Sequence, residues 1–139
     1  MKNMHEIEKQ EEYEKELKDH AITVIDFFTT WCGPCKMLSP TMEEMSEEYD
    51  EKTKGDQKEG EKKAIGFFKV DCDKMNDVAD TMEVKSVPTI IIFKDGKEYT
   101  RLVGLCDKDK YVKAIDACKK GEPSPGEKKE SKKTSKKKK

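Results

Sequence analysis

What the sequence most lacks is a long apolar run. No stretch of its 139 residues approaches the roughly 20 apolar residues of a membrane span. The charged segment from Met1 to His20 has no apolar core of the kind an export signal needs. The chain ends in KKKK, not in an endoplasmic-reticulum retention signal, so the expectation is a soluble, cytoplasmic protein. Histidine is scarce: His5 and His20 both fall in the charged N-terminal segment, and neither has a Cys or His at metal-ligand spacing. A glycine-rich phosphate loop is also missing, which argues against nucleotide binding by this chain. Five cysteines, an odd number, without an export signal argue against a disulfide framework.

Charge, by contrast, is abundant and unevenly placed. Charged residues make up 42% of the chain, yet the formal net charge is only -1. From Lys119 to the end, ten lysines face Glu122, Glu127 and Glu130, a local +7 that leaves -8 on residues 1 to 118. Composition therefore divides the chain into an acidic body, 1–118, and a disordered lysine-rich tail, 119–139.

Within the body, Tyr13 and Leu17 lie four apart among charges, the pattern of a surface helix over 9–18. AITVIDFF (21–28) is almost continuously apolar and β-branched or aromatic, which suits a strand covered on both faces. Leu38, Met42, Met45 and Tyr49 then recur at helical spacing, which predicts a helix from about Gly33 to Tyr49 with a kink at Pro40. Residues 51–63 contain no apolar side chain and read as a solvated loop. AIGFFKVD (64–71) reads as a second strand, and Met75, Val78, Ala79 and Met82 mark a helix within 73–82. Asp95-Gly96 between two strand-like runs predicts a hairpin, and Tyr111, Ala114, Ile115 and Cys118 predict a closing helix. A short strand near Met4 to Ile7 would open the order. Helices interleaved with strands predict an α/β fold: a mixed sheet of four to five strands flanked by helices on both faces.

Cys32 and Cys35, in WCGPCK, sit where the first long strand gives way to a helix. Zinc would need a second ligand pair, and Cys72, Cys106 and Cys118 stand alone. A purely structural disulfide would close too small a loop to stabilise much. Redox exchange fits better. Cys32 would lie at a helix N-terminus, where unpaired N–H groups and the helix dipole favour a thiolate. Cys35, one turn on, would be shielded but within reach, so Cys32 would attack a disulfide and Cys35 would resolve the mixed disulfide. Gly33 and Pro34 set the turn between them, and proline there forfeits no helical hydrogen bond.

WCGPCK after a strand, with Asp26 six residues before Cys32 and VPT further on, resembles the thioredoxin family over about Met4 to Cys118. The resemblance implies the thioredoxin fold, Cys32 as nucleophile, Cys35 as resolving thiol and Pro88 as a cis-proline facing the disulfide. It also implies that Val87 pairs by its backbone with an extended client, and that Trp31, Gly33, Val87 and Gly104 form a shallow apolar binding surface. Asp26, amid Ile25, Phe27 and Phe28, would be a buried acid of raised pKa serving the resolving cysteine, with Lys69 nearby. No cofactor is expected beyond the redox-active disulfide, NADPH being consumed indirectly by a thioredoxin reductase that recharges the protein. Disulfide-containing clients would be the other partners of a monomer.

Of the remaining cysteines, Cys118 reads as a packed small hydrophobe, Cys72 lies between two carboxylates that disfavour a thiolate, and Cys106 could be exposed to oxidation near the active surface. The methionines Met37, Met42, Met45, Met75 and Met82 fit core or interface packing. The 51–63 insertion and the tail depart from the compact family pattern. No aromatic residue is interleaved with the tail lysines, so contact with nucleic acid or an anionic surface would be electrostatic, and nuclear import is the alternative use. An oxidase or isomerase of secreted proteins would carry His at position 34 and an export signal. A redox-dependent binding module localised by its tail is the alternative from outside catalysis.

Overall fold

The computed structural model describes residues 4–53 and 63–123. Chain order is β1 (His5–Glu6), α1 (Gln10–Asp19), β2 (His20–Phe28), α2 (Gly33–Thr53), β3 (Lys63–Asp71), α3 (Asn76–Thr81), β4 (Thr89–Lys94), β5 (Lys97–Val103) and α4 (Lys108–Lys119). The strands form one sheet in the order β1-β3-β2-β4-β5. β1, β3 and β2 run parallel, and β4 and β5 run antiparallel to their neighbours. This is the expected mixed sheet.

β2 is central, which explains its unbroken apolar character: its side chains must satisfy both faces. Alternation along the strand sends Ile22 and Val24 to one core and Ile25 and Phe27 to the other. The first core adds Leu38, Met42, Met45 and Tyr49 of α2 and Tyr111, Ile115 and Cys118 of α4. The second adds Ile7, Tyr13 of α1, Val78 of α3, Ile91 and Phe93. Burying each large side chain of this kind stabilises the fold by about 1.5–3 kcal/mol, so both faces are anchored by several such contributions.

Local details differ from the sequence reading in instructive ways. α2 runs on to Thr53 and β3 begins at Lys63, so the ends of the 51–63 segment belong to regular elements. Glu51 and Lys52 favour continuation past Tyr49, and neither glycine nor proline occurs before Gly55. What is left of that segment, 54–62, lies outside the described residues. α3 is shorter than the spacing implied, because Met75 and Met82 are its flanking caps. α4 includes Lys119 and closes where Gly121, at φ +79°, donates its N–H to the Cys118 carbonyl at 3.1 Å. The rest of the expected tail, 124–139, lies outside the described residues.

The hairpin turn at Asp95-Gly96 has positive φ at both residues, 50° and 83°, as a tight two-residue turn requires. His20, at the end of the charged N-terminal segment, is buried. Its Nδ1 lies 2.9 Å from the Glu16 carbonyl, and its ring meets Phe68 edge-on. Gly66 makes room for it, since a Cβ there would come within 2.7 Å of the imidazole.

Candidate active site

The C-terminal end of β2 turns through Thr29 and Thr30 directly into α2. Cys32 immediately precedes the first helical residue, Gly33, and Cys35 lies in the first turn. The two are joined as a disulfide, with Cα atoms 5.3 Å apart. The Cys35 N–H donates to Cys32 Sγ at 3.1 Å, and the Lys36 N–H reaches the Cys32 carbonyl at 3.3 Å. The Lys36 bond is the first i→i−4 bond of the helix, whereas the Cys35 N–H is one of the donors that a helix N-terminus leaves without an intrahelical partner, and it is aimed at sulfur. Gly33 and Pro34 are exposed over the disulfide, while Cys32 and Cys35 are only 5% and 3% exposed.

A second loop closes over Cys32. The Val87-Pro88 peptide bond is cis, and Cys32 Sγ lies 3.8 Å from the Val87 carbonyl oxygen. Pro88 is buried and leads into β4. Two hydrogen bonds hold the loop there. Thr89 Oγ1 donates to the Ser86 carbonyl at 2.8 Å, and the Gly104 N–H donates to the Pro88 carbonyl at 2.8 Å. Gly104 has φ +88°, a conformation that disfavours any residue with a Cβ.

Around these loops lies an exposed apolar rim of Trp31, Met37, Val103 and Leu105. Of the surface residues that the resemblance implies, Trp31 is on this rim and Gly104 lies between Val103 and Leu105. The exposed Met37 fits interface packing and not core packing, while Val103 and Leu105 are additions from the structure. Their signal was an apolar residue on either side of a glycine at a strand end. The Trp31 indole N–H donates to Asp73 Oδ2 at 3.0 Å, a contact across 42 positions that no local pattern reveals.

Asp26 is 3% exposed, and its Oδ1 has no hydrogen-bond partner among the described residues. By alternation it shares the sheet face of Ile22 and Val24, the face covered by α2. Burial raises its pKa from 3.8 to about 7, and the Lys69 ammonium pulls the other way. Lys69 is directly opposite Asp26 in the β2–β3 register.

Cys72 follows the end of β3 and is half-buried. Its thiol is pushed up to about 11, first by burial and then by Asp71 and Asp73. Cys118 is fully buried in the core, and burial raises its pKa too. Cys106 is half-buried, not exposed. Its N–H donates to the Tyr111 hydroxyl at 3.0 Å, and its Sγ lies 3.7 Å from the Gly104 carbonyl. Among the described residues, no group of three or more His, Cys, Asp or Glu is placed to hold a metal ion.

Comparison with known proteins agrees with this geometry. The family model described as Thioredoxin matches residues 4–117. Thioredoxin-2 of Saccharomyces cerevisiae is 45% identical over 83 residues, 60% of this chain and 67% of that protein. The thioredoxin of Chlamydia trachomatis is 44% identical over 94 residues, 68% of this chain and 79% of its own. Among solved structures, a mutant thioredoxin from Halobacterium salinarum superposes with a TM-score of 0.70 at 29% identity, covering 83% of this chain and 89% of that one. Reduced Schistosoma mansoni thioredoxin gives 0.67 at 32% identity, covering 83% and 97%. With a helix-seated Cys32-Cys35 disulfide on a sheet of this topology, the chain belongs to the thioredoxin family and is a dithiol-disulfide oxidoreductase.

Proposed function

We propose that the chain reduces disulfides in client proteins, with Cys32 as nucleophile and Cys35 as resolving thiol. The observation that carries this assignment is the Cys35 N–H donating to Cys32 Sγ at the mouth of α2, because a donor placed there stabilises negative charge on that sulfur. The Cys32 thiolate attacks one sulfur of a client disulfide, and the other leaves as a thiolate. Cys35 then attacks the Cys32 sulfur, releasing the second client thiolate and leaving the Cys32-Cys35 disulfide. Two electrons pass from the dithiol to the client.

Asp26 fits the proton traffic of the second step, since an acid titrating near 7 can take the Cys35 proton at physiological pH. An extended client segment would pair with the Val87 backbone, and Trp31, Gly33, Pro34 and Gly104 would supply the surrounding surface. A thioredoxin reductase that consumes NADPH would return the disulfide to the dithiol. The protein would act as a monomer in the cytoplasm, with tail lysines making weak salt-sensitive contacts or directing nuclear entry.

A redox-dependent binding module is the competing reading. It has the same exposed apolar rim in its favour, and it predicts tight binding without turnover. Cys35→Ser separates the two. Mixed disulfides through Cys32 should accumulate with a client such as insulin, while the unmodified protein turns insulin over with a dithiol reductant. Absence of any covalent adduct would overturn the exchange mechanism.

A further inference from the structure

The loop that carries Val87 is held at its far end by a side chain that belongs neither to the disulfide nor to the apolar rim. Arg101, on β5, donates from Nη2 to the Met82 carbonyl at 2.8 Å and from Nη1 to the Glu83 carbonyl at 3.3 Å. These carbonyls lie where α3 ends, and Glu83, at φ 57°, reverses the chain. The terminal carbonyls of a helix need outside donors, and here a guanidinium supplies them.

A bulge brings Glu98 onto the same face as Arg101. Ile91 pairs with Arg101 and Phe93 with Glu98, with a register shift between Ile92 and Phe93. On a regular strand, residues 98 and 101 would face opposite sides; the extra residue turns both toward the core that contains Ile91, Phe93 and Val78. Glu98 then accepts from Arg101 Nε at 2.7 Å and from Nη2 at 2.8 Å, which fixes the fork over the α3 terminus. Only residues 84–86 separate this clamp from Val87, whose carbonyl faces Cys32 Sγ. The other end is pinned by Thr89 and Gly104.

We propose that Arg101 is a positioning residue for client binding: by clamping Met82 and Glu83 it sets where the Val87 backbone stands beside Cys32. This inference rests on the client-pairing reading of Val87 given above. Residues that act by holding a binding segment change KM for ligands that use the segment and leave intrinsic chemistry alone. Dipyridyl disulfide, which has no peptide backbone to pair, serves as the control.

The test compares the full chain with Arg101→Gln and Arg101→Lys, each against insulin and dipyridyl disulfide. Arg101→Gln should raise KM for insulin about five- to tenfold with kcat nearly unchanged, and leave the rate with dipyridyl disulfide within about twofold. Arg101→Lys keeps the charge but not the fork, so it should recover part of the loss. Thermal melting of each variant records fold integrity. An unchanged KM for insulin, or equal losses on both substrates, would overturn the positioning role. Failure of the unsubstituted chain to reduce insulin would instead overturn the client-reductase reading, and this inference with it.

Discussion

Two cysteines follow the ends of neighbouring parallel strands, and their surroundings are opposite. After β2, Cys32 meets the N-terminus of α2, and the Cys35 N–H points at its sulfur. After β3, Cys72 donates its N–H to the Phe28 carbonyl and stands between Asp71 and Asp73, with its thiol pushed up to about 11. Place on the sheet is almost the same. Burial raises the Cys72 thiol most but does not separate the two, since Cys32 is the more buried; what distinguishes them is the field, backbone donors at one and carboxylates at the other.

The strongest way to break this contrast is to remove each sulfur. Cys32→Ser should lower insulin reduction by at least about a thousandfold, because among the described residues no other helix is capped by a cysteine with a backbone N–H aimed at its sulfur. Cys72→Ser should leave it within about twofold. Comparable losses in steady-state turnover would erase the distinction.

Asp26 offers the next test, because it shares the site but is held against ionisation. Its folded pKa of about 7 stands above the unfolded value near 3.8, so the folded state keeps a proton that the unfolded chain has lost. The stability contributed by the Asp26 proton is therefore full below about pH 4, is lost as pH rises through 7, and changes no further above. Asp26→Asn removes that loss and should stabilise the protein by up to about 4 kcal/mol above pH 7, with little gain at pH 4. Urea denaturation at the two pH values checks it. The same substitution should slow the Cys35 step more than the first attack, which pre-steady-state thiol exchange can resolve.

A smaller effect is expected at the second strand end. Asp73→Asn removes one of the charges opposing a Cys72 thiolate while leaving an oxygen to accept from the Trp31 indole N–H. Cys72 alkylation at pH 8 should rise by about threefold, with Cys32 reactivity unchanged. A fall in Cys72 labelling would show that the carboxylate is not what restrains it.

Much of this was legible in the chain. The run AITVIDFF marked the central strand because a strand covered on both faces has no polar alternation to lose. Asp95-Gly96 marked the hairpin through its backbone demands, and Cys32 preceding Gly33-Pro34 marked a helix start. Asp26 announced itself as the one charge in that strand. Hidden were features set by chain segments meeting from far apart. The Trp31–Asp73 hydrogen bond, the space Gly66 leaves for His20, and the β5 bulge that puts Glu98 and Arg101 on one face have no signature within a short window. The exposed rim was half visible for the same reason, since Val103 and Leu105 look like ordinary strand-end apolar residues until the Val87-Pro88 loop is seen beside them.

The central claim is that the mouth of α2, and not the strand end as such, makes Cys32 the reactive thiol. Its most direct test is site-resolved alkylation of the reduced protein by iodoacetamide at pH 7, read by mass spectrometry of the resulting peptides. The account predicts that Cys32 is modified first, at least about a hundredfold faster than Cys72. Labelling of Cys72 at a rate equal to that of Cys32 would contradict it.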